Sequence, residues 1–143
     1  MTPEVAGAGG ATLVSKDELF RQAHVVTIHL VLSSRSRRFV GAAELERMKP
    51  TARLINTSRG PIVDEAALIK VLQSRSIAGA ALDVFDQEPL PAQHPFRTLP
   101  NVLATPHVGY VAESLYRAFY EDTVASITAW LDEQATDKGR VDL

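Results

Sequence analysis

The chain has 143 residues, of which 45% are hydrophobic and 22% are charged, with a formal net charge of -2. These values are typical of one ordinary globular domain, and the lack of a basic excess argues against a nucleic-acid partner. The absence of cysteine excludes disulfides and thiolate metal sites, and no apolar run approaches the roughly 18 residues that a membrane span requires. We therefore expect a cytoplasmic protein with no nucleic-acid partner, no membrane segment and no metal.

The N-terminal segment is rich in glycine. Residues 3–8 are predicted to form a short helix that ends at Gly9 and Gly10, and residues 12–14 a short strand. The same glycines invite comparison with a phosphate-binding turn. However, their spacing lacks the third glycine of the dinucleotide fingerprint and no strand precedes them, so a helix end is the better interpretation.

A helix and a strand follow this segment. Ser15 and Glu18 lie three positions apart, which predicts a capping box at the start of a helix that runs to about Ala23. Residues 25–32 are largely β-branched and almost continuously apolar, as expected of a parallel strand that is covered on both faces. His29 lies near the end of this strand and could face a ligand, although a histidine that is hydrogen-bonded within the loop is the simpler interpretation.

The middle of the chain alternates between short helices and strands. Residues 41–48 are typical of a short helix, and residues 52–56 of an apolar strand. Asp64 is expected to cap a helix that extends through residue 72. Residues 77–84 are predicted to form the next strand, and their small side chains would let a helix or a flat ligand approach closely.

The last third of the chain begins with a stiff loop. Residues 85–100 contain four prolines, which predicts a long ordered loop with one helical turn near residues 95–99. Residues 101–104 form a last short strand. Residues 112–134 are predicted to form one long helix, and residues 135–143 to fray. The helix carries apolar residues at helical spacing, which form either core or an interface: Leu115, Phe119, Val124, Ile127 and Leu131.

The alternation of strands and helices predicts an α/β fold in which helices flank a parallel sheet. Right-handed crossovers place the carboxyl ends of the parallel strands on one edge of that sheet. Because ligands bind beyond the carboxyl ends of the strands in open sheets of this kind, polar residues that directly follow the strands are candidates for a site.

Three such residues are Arg59, Glu88 and His107. The planar guanidinium of an arginine suits a substrate carboxylate, although Arg59 is also compatible with a surface residue in the turn before Gly60 and Pro61. A carboxylate beside an imidazole orients the ring and favours its protonated form, and such a pair can donate or accept a proton. Because no nucleophilic serine or cysteine is evident, hydride transfer fits this set better than acyl transfer.

The three residues lie in segments that occur in order along the chain: Asn-Thr-Ser-Arg-Gly-Pro-Ile-Val-Asp-Glu at 56–65, Gly-Ala-Ala-Leu-Asp-Val-Phe-Asp-Gln-Glu-Pro at 79–89 and Thr-Pro-His-Val-Gly at 105–109. Together these segments resemble the successive signatures of the D-isomer-specific 2-hydroxyacid dehydrogenases. The similarity extends from residue 2 through the C-terminal helix. It implies an incomplete doubly wound, Rossmann-like sheet and NAD(H)-dependent hydride transfer between a 2-hydroxy acid and a 2-keto acid.

The resemblance also implies a role for each matching residue. Arg59 binds the substrate, His107 is the acid/base, and Glu88 orients His107. Contacts with NAD are expected from residues of all three segments: Thr57, Ser58, Arg59, Asp83, His107, Val108 and Gly109. The acid substrate stays open among glyoxylate, hydroxypyruvate, phosphoglycerate and bulkier acids, and so does the choice between NAD and NADP.

The sequence departs from the family pattern in two ways: several family segments have no counterpart, and two residues differ from those that the family often carries. The resemblance begins after the first βαβ unit, so the glycine-rich phosphate turn, the acidic ribose partner and the catalytic domain have no counterpart in it. We therefore expect residues 1–134 to form a partial NAD-binding domain that on its own binds NAD weakly or not at all and is inactive. Arg38 stands where family members often have glycine, and Tyr110 where many have a small residue.

Two functions follow from these observations. The first is the C-terminal part of an NAD-dependent D-2-hydroxyacid dehydrogenase that acts on a small 2-hydroxy or 2-keto acid. The second is a non-catalytic module that self-associates or assembles with a dehydrogenase partner. In either case we expect a homo-oligomer that forms through an exposed sheet edge, at the strand of residues 25–32, or through the C-terminal helix.

Overall fold

The structure is a computed structural model that describes residues 2–138. The chain forms two compact units, Met1–His107 and Val108–Leu143. The first unit contains a sheet with its helices, and the second contains one long helix. Among the described residues, no helix combines the length and the apolar character that a membrane span requires.

The first unit is built on a sheet of four parallel strands. They are β1 (Val25–Ile28), β2 (Arg53–Asn56), β3 (Gly79–Leu82) and β4 (Val102–Ala104), hydrogen-bonded in the order β1-β2-β3-β4. The register pairs Ile28 with Asn56 and Asn56 with Leu82, so the carboxyl ends of β1, β2 and β3 lie side by side. The predicted α/β fold with a parallel sheet is therefore confirmed.

Helices precede and connect these strands. They are α1 (Pro3–Ala8), α2 (Lys16–Gln22), α3 (Ala42–Arg47) and α4 (Glu65–Gln73), with short 3-10 turns at Gly60–Ile62 and Pro95–Arg97. α2 begins with the predicted capping box, in which Ser15 Oγ accepts the Glu18 N–H at 3.2 Å and Glu18 Oε2 accepts the Ser15 N–H at 3.3 Å. Asp64 Oδ1 accepts the Ala67 N–H at 3.0 Å and caps α4. Each cap pairs amides that the first helical turn leaves unpaired, which fixes where the helix starts.

The core lies between the sheet and the helices. Leu54 in β2, and Leu68 and Leu72 in α4, are each at most 2% exposed. Burying a side chain of this size contributes about 1.5 to 3 kcal/mol relative to leaving it exposed. Because apolar residues recur at helical spacing on one face of α4, their packing fixes this helix, and with it Glu65 at its start, relative to the strands.

The prediction of a strand at residues 12–14 is wrong. Residues 11–15 adopt no regular secondary structure, and the side chains of Leu13 and Val14 are 45% and 37% exposed. A strand requires a neighbour whose amides and carbonyls it can pair with. In the described part of the chain β1 pairs only with β2, and no ladder reaches residues 12–14.

The prediction for β1 is confirmed in type and direction but wrong in length and burial. β1 spans four residues instead of residues 25–32, and its burial alternates, so that Val26 is 4% exposed whereas Val25 is 53% exposed. The ladder ends at Ile28 because its partner Asn56 is the last residue of β2. Val31, beyond that point, is 87% exposed. The apolar run is longer than the partner strand available to it.

The second unit consists mainly of helix α5 (Glu113–Lys138), where the sequence predicts a helix over residues 112–134. The helix thus continues through residues 135–138, and residues 139–143 lie outside the described residues. The apolar residues predicted to form core or an interface are each 41% to 62% exposed, which favours the interface: Leu115, Phe119, Val124, Ile127 and Leu131.

Candidate active site

The segment that follows β2 is held in place by partly buried hydrogen bonds. Asn56 is 1% exposed; its Nδ2 donates to the Arg59 carbonyl at 3.0 Å, and its Oδ1 accepts the Ser58 N–H at 3.1 Å. Ser58 Oγ donates to the Ile28 carbonyl at 2.7 Å, which connects the segment to the end of β1. Thr57 and Arg59 are exposed. The backbone from Asn56 to Arg59 is therefore ordered, while two of its side chains point outward.

Gly60 brings this segment against the loop that carries Glu88. A Cβ at Gly60 would overlap the Phe85 backbone and would lie 2.6 Å from the Asp86 nitrogen. No side chain fits at this point without displacement of the backbone, so only glycine allows the two loops to approach this closely. The Gly that follows Arg59 in the sequence is thus required by packing.

Glu88 and His107 form a hydrogen-bonded pair. Glu88 Oε2 lies 2.7 Å from His107 Nδ1, and Glu88 Oε1 accepts the Phe85 N–H at 2.9 Å. An ionised carboxylate only accepts hydrogen bonds, which assigns the proton of this contact to Nδ1 and leaves Nε2 as the ring nitrogen for proton exchange. Both side chains are 36% exposed, so the pair is accessible from solvent.

The backbone of His107 has an uncommon conformation. Its φ is 55°, which lies in the left-handed region that residues other than glycine rarely adopt. Its N–H donates to the Thr105 carbonyl at 3.0 Å. Such conformations persist only where surrounding contacts fix them, and they are concentrated at functional sites. The turn after β4 thus directs the imidazole toward Glu88.

The charges around Glu88 favour its ionised form. Partial burial by itself raises the pKa of the Glu88 carboxyl, but the hydrogen bonds from His107 and Phe85 and the charges of His107 and Arg59 outweigh it, so the pKa lies below its ordinary value. Arg59 is therefore close enough to act on Glu88 electrostatically. Its own Nη1 donates to the Ser58 carbonyl at 2.6 Å.

Asp83 occupies the carboxyl end of β3 and is only 6% exposed. Its N–H donates to the Asn56 carbonyl at 3.0 Å, and its Oδ1 accepts the Thr105 hydroxyl at 2.6 Å. These two bonds join the ends of β2, β3 and β4. A carboxylate accepts hydrogen bonds from amide donors, the kind of contact with the nicotinamide carboxamide that the resemblance implies.

The other predicted cofactor contacts are distributed over both units. Thr57, Ser58 and Asp83 lie at the strand ends of the first unit, whereas Val108 and Gly109 belong to the second, where Val108 is 41% exposed. The roles of all these residues toward NAD stay predictions. No group of three or more acidic or histidine residues within the described residues is arranged to hold a metal ion.

Two residues that the sequence analysis did not single out complete the hydrogen bonding at this edge. Asn56 holds the Arg59 segment, and Thr105 binds Asp83. A polar residue at the end of an apolar strand is a signal that was present in both cases. His29, in contrast, contacts the neighbouring Thr27 hydroxyl through Nε2 at 3.0 Å, in agreement with the simpler interpretation of that residue.

Arg38 has an uncommon backbone conformation. Its φ is 53°, and its N–H donates to the Pro61 carbonyl at 2.8 Å. Glycine adopts this left-handed conformation without steric cost, so glycine would suit this position at least as well as arginine. The guanidinium lies 3.9 Å from the Asp64 carboxylate and is 72% exposed, so this ion pair contributes little to stability.

Comparison with known proteins finds a matching family model and similar curated enzymes. Residues 2–109 match the family model described as D-isomer specific 2-hydroxyacid dehydrogenase, NAD binding domain. Glyoxylate/hydroxypyruvate reductase B of Enterobacter agglomerans is 43% identical over 115 residues, which cover 80% of this chain and 36% of the relative.

Two solved structures share the fold. Phosphoglycerate oxidoreductase from Vibrio cholerae O395 is 35% identical with a TM-score of 0.79, over 89% of this chain and 42% of that one. D-lactate dehydrogenase with NAD+ from Lactobacillus jensenii is 29% identical with a TM-score of 0.80, over 93% of this chain and 43% of that one. The chain spans 36% to 43% of the length of these relatives, and it belongs to the D-isomer specific 2-hydroxyacid dehydrogenase family.

Proposed function

We propose that this chain supplies the nicotinamide side of the active site of an NAD(H)-dependent D-2-hydroxyacid dehydrogenase. The observation that carries the proposal is the 2.7 Å hydrogen bond between Glu88 and His107, at the edge where the strands end. Within a family of 2-hydroxyacid dehydrogenases, a carboxylate-held imidazole at this edge is suited to move a proton to or from the substrate oxygen.

His107 is the proposed acid/base. During reduction of a 2-keto acid, its Nε2–H donates a proton to the oxygen as negative charge develops there, and during oxidation Nε2 removes the hydroxyl proton. Glu88 holds the Nδ1–H, so the ring keeps one orientation, and its charge stabilises the protonated ring. Bound NAD(H) supplies or accepts the hydride.

Arg59 is the proposed substrate-binding residue. Its side chain is exposed at the end of β2, while its backbone is fixed by Asn56, so a fixed positive charge is presented at the site. A guanidinium binds a carboxylate through two parallel hydrogen bonds, which orients a 2-keto acid as well as holding it. The chain thereby selects the acid group that all substrates of this class share.

The cofactor would be held by residues of the first unit: Thr57, Ser58, Asp83 and His107. Asp83 suits the amide N–H of the nicotinamide, because its side chain is a buried acceptor at the carboxyl end of β3. The relatives named above are enzymes of glyoxylate, hydroxypyruvate, phosphoglycerate and lactate. The proposed substrate is accordingly a small 2-hydroxy acid or its 2-keto form.

A second candidate function is a non-catalytic module that associates with itself or with a dehydrogenase subunit. It is favoured by the exposure of apolar side chains beside the edge strand β1, where Val25 is 53% and Val31 87% exposed. This candidate requires no cofactor. It is compatible with the same fold, and turnover separates the two functions.

Turnover of a 2-keto acid tests the proposal. The chain is assayed by NADH absorbance, alone and mixed with the N-terminal portion of the Enterobacter agglomerans relative, with glyoxylate, hydroxypyruvate and pyruvate. Arg59→Ala is expected to abolish the activity of the mixture. Arg53→Ala is the matched control, since Arg53 is an exposed arginine at the opposite end of β2. Equal activity of Arg59→Ala and the parent contradicts the assignment, and an inactive parent mixture that still associates favours the second candidate.

A further inference from the structure

One carboxylate contacts both ends of the loop that carries Glu88. Glu65, the first residue of α4, accepts the Asp86 N–H through Oε2 at 3.3 Å. Its Oε1 lies 3.1 Å from His94 Nε2. Asp86 comes two residues before Glu88, and His94 lies at the far end of the loop, next to the turn Pro95–Arg97. Glu65 therefore bridges the loop at the two places where it leaves the packed part of the first unit.

The hydrogen bonds of His94 define the position of its proton. Its Nδ1 accepts the Phe96 N–H at 3.3 Å, so in the neutral ring the proton is on Nε2, from which it is donated to Glu65. The His94 ring lies 4.9 Å from the ring of Phe96, which is 3% exposed. His94 thus connects Glu65 to the core.

The contact between Glu65 and His94 is better shielded than the pair that it supports. The side chains of His94 and Glu65 are 14% and 23% exposed, against 36% for both Glu88 and His107. Hydrogen bonds are stronger where water is partly excluded, so the shielded contact is suited to hold the exposed one in place. Burial and the charge of Glu65 also raise the pKa of Asp86, in agreement with an ionised Glu65 close to the loop.

Two successive amides of the loop are bound by two different carboxylates. The Phe85 N–H donates to Glu88, and the Asp86 N–H donates to Glu65. Only the φ and ψ rotations of Phe85 separate these two amides, so fixing the second amide restricts the directions that the first can take. Gly60 packs closely against the peptide that joins Phe85 to Asp86.

We propose that Glu65 and His94 act as positioning residues, forming a clamp that holds the loop so that the Glu88 carboxylate meets His107. We call this contact the Glu65–His94 clamp. The inference rests on the proposed function, because it assigns the clamp to the Glu88–His107 pair. Neither clamp residue touches the reacting atoms. Each acts through the loop backbone.

The test measures the geometry of Glu88 in the 143-residue chain. Carboxyl carbon NMR follows the titration of Glu88 in the parent and in Glu65→Ala, with His107→Ala as the reference for a Glu88 that has lost its partner. We expect the pKa of Glu88 to rise in Glu65→Ala toward the value in the reference. Removal of the negative charge of Glu65 would by itself lower the pKa of Glu88. A rise in that pKa therefore indicates that Glu88 has lost its hydrogen bonds with His107 and the Phe85 N–H. Hydrogen exchange at the Phe85 amide should accelerate about fivefold, as expected for the loss of one hydrogen bond.

His94→Asn provides a second, milder variant. Asparagine keeps an acceptor for the Phe96 N–H, because it caps helical turns well, but it is too short to reach Glu65. The pKa of Glu88 should again rise. Glu44→Ala is the matched control, since Glu44 also accepts a backbone N–H, from Gly41 at 2.9 Å, and pairs with a cation, Lys16, at 2.7 Å, but on α3. It should leave Glu88 unchanged.

An unchanged Glu88 titration in folded Glu65→Ala and His94→Asn overturns the clamp, and if Glu65→Ala does not fold, His94→Asn alone decides. The readout requires no turnover. A chain that shows the Glu88 shift but supports no 2-keto acid reduction refutes the proposed function and retains the clamp. A chain that supports reduction of a 2-keto acid without the shift in the Glu88 pKa retains the proposed function and refutes the clamp.

Discussion

The strand-end site and the β1 edge belong to the same unit but differ in how completely their side chains are hydrogen-bonded or buried. At the site, Asn56 and Glu88 each make two hydrogen bonds within the unit, and no buried side-chain nitrogen or oxygen among the described residues lacks a partner. At the β1 edge, a groove of about 240 Å³ lies open between α2 and β1. Val25 and Val31 near it remain more than half exposed.

The difference follows from the kind of interaction each region depends on. Hydrogen bonds at the strand ends connect residues a few positions apart, or residues that the sheet register brings together. The apolar residues of β1 require a covering layer, and a parallel strand is buried only when both its faces and both its sides are occupied. Polar residues can therefore be fixed at the site while the apolar edge nearby stays exposed.

The largest expected effect is a loss of stability on truncation of a buried leucine, compared with truncation of a leucine near the β1 edge. Leu54→Ala in β2 should lower the free energy of unfolding by about 2 to 5 kcal/mol, because Leu54 is fully buried and its truncation leaves a cavity. Leu30→Ala should change it by less than about 0.5 kcal/mol, since Leu30 lies just past β1 and is 42% exposed. Urea unfolding of both variants measures the contrast. A similar loss for both would mean that the edge is covered in solution.

The second expected effect is a loss of turnover on replacement of the site histidine, compared with replacement of the histidine that follows β1. His107→Ala should reduce turnover of a 2-keto acid by about 100-fold or more in the mixture assay, since a positioned acid/base contributes at least that factor. His29→Ala is the control, because His29 makes its contact with Thr27 inside β1. Comparable activity of the two variants would contradict the assignment of His107.

The placement of the candidate site residues near one sheet edge could be predicted because each follows a strand, whereas their roles stay predictions. Arg59, Glu88 and His107 each follow a strand in a recognisable segment, and the register then brings those segments to one edge. What the sequence did not reveal is how they are held. The contribution of Glu65 depends on the packing of α4, and the contacts of Asp83 depend on Thr105, which is 22 positions away.

The strands were predictable in type and order but not in extent. An apolar run indicates what a segment prefers to bury, whereas the length of a strand is set by its partner. β1 ends at Ile28 because β2 ends at Asn56, although the apolar run continues to Leu32. Residues 12–14 have β-forming composition but no partner in the described structure. Both errors came from treating a pairing interaction as a property of one segment.

The third expected effect tests the β1 edge as an interface. We expect the chain to self-associate at micromolar concentration through this edge, because an apolar edge strand is a template for pairing. Val25→Lys should weaken the association by about tenfold, which corresponds to about 1.4 kcal/mol. Analytical ultracentrifugation over a concentration series measures it.

Two matched substitutions locate the interface. Leu103→Lys places the same charge on β4, at the opposite edge of the sheet, where Leu103 is 66% exposed. It should leave the association unchanged. Ile127→Lys tests α5, and a response to this substitution alone would move the interface to the helix. A parent that sediments as one monomer at every concentration would exclude both.

The smallest expected effect concerns the Glu88 carboxylate. Its pKa is lowered in the folded chain, so its hydrogen bonds contribute stability that is fully present above the ordinary pKa of glutamate and is lost as the pH falls through the lowered value. Glu88→Gln does not titrate. The free energy of unfolding of the parent should therefore decline more steeply on acidification than that of Glu88→Gln. The difference should be at most about 1 kcal/mol, because a side chain that is 36% exposed is screened by solvent. Urea unfolding at neutral and acidic pH measures it, with Glu46→Gln at an exposed position of α3 as the control for the change in charge. If the parent and Glu88→Gln lose stability in parallel, the hydrogen bonds of Glu88 do not hold the ionised carboxylate in solution, and the site would be no better fixed than the β1 edge.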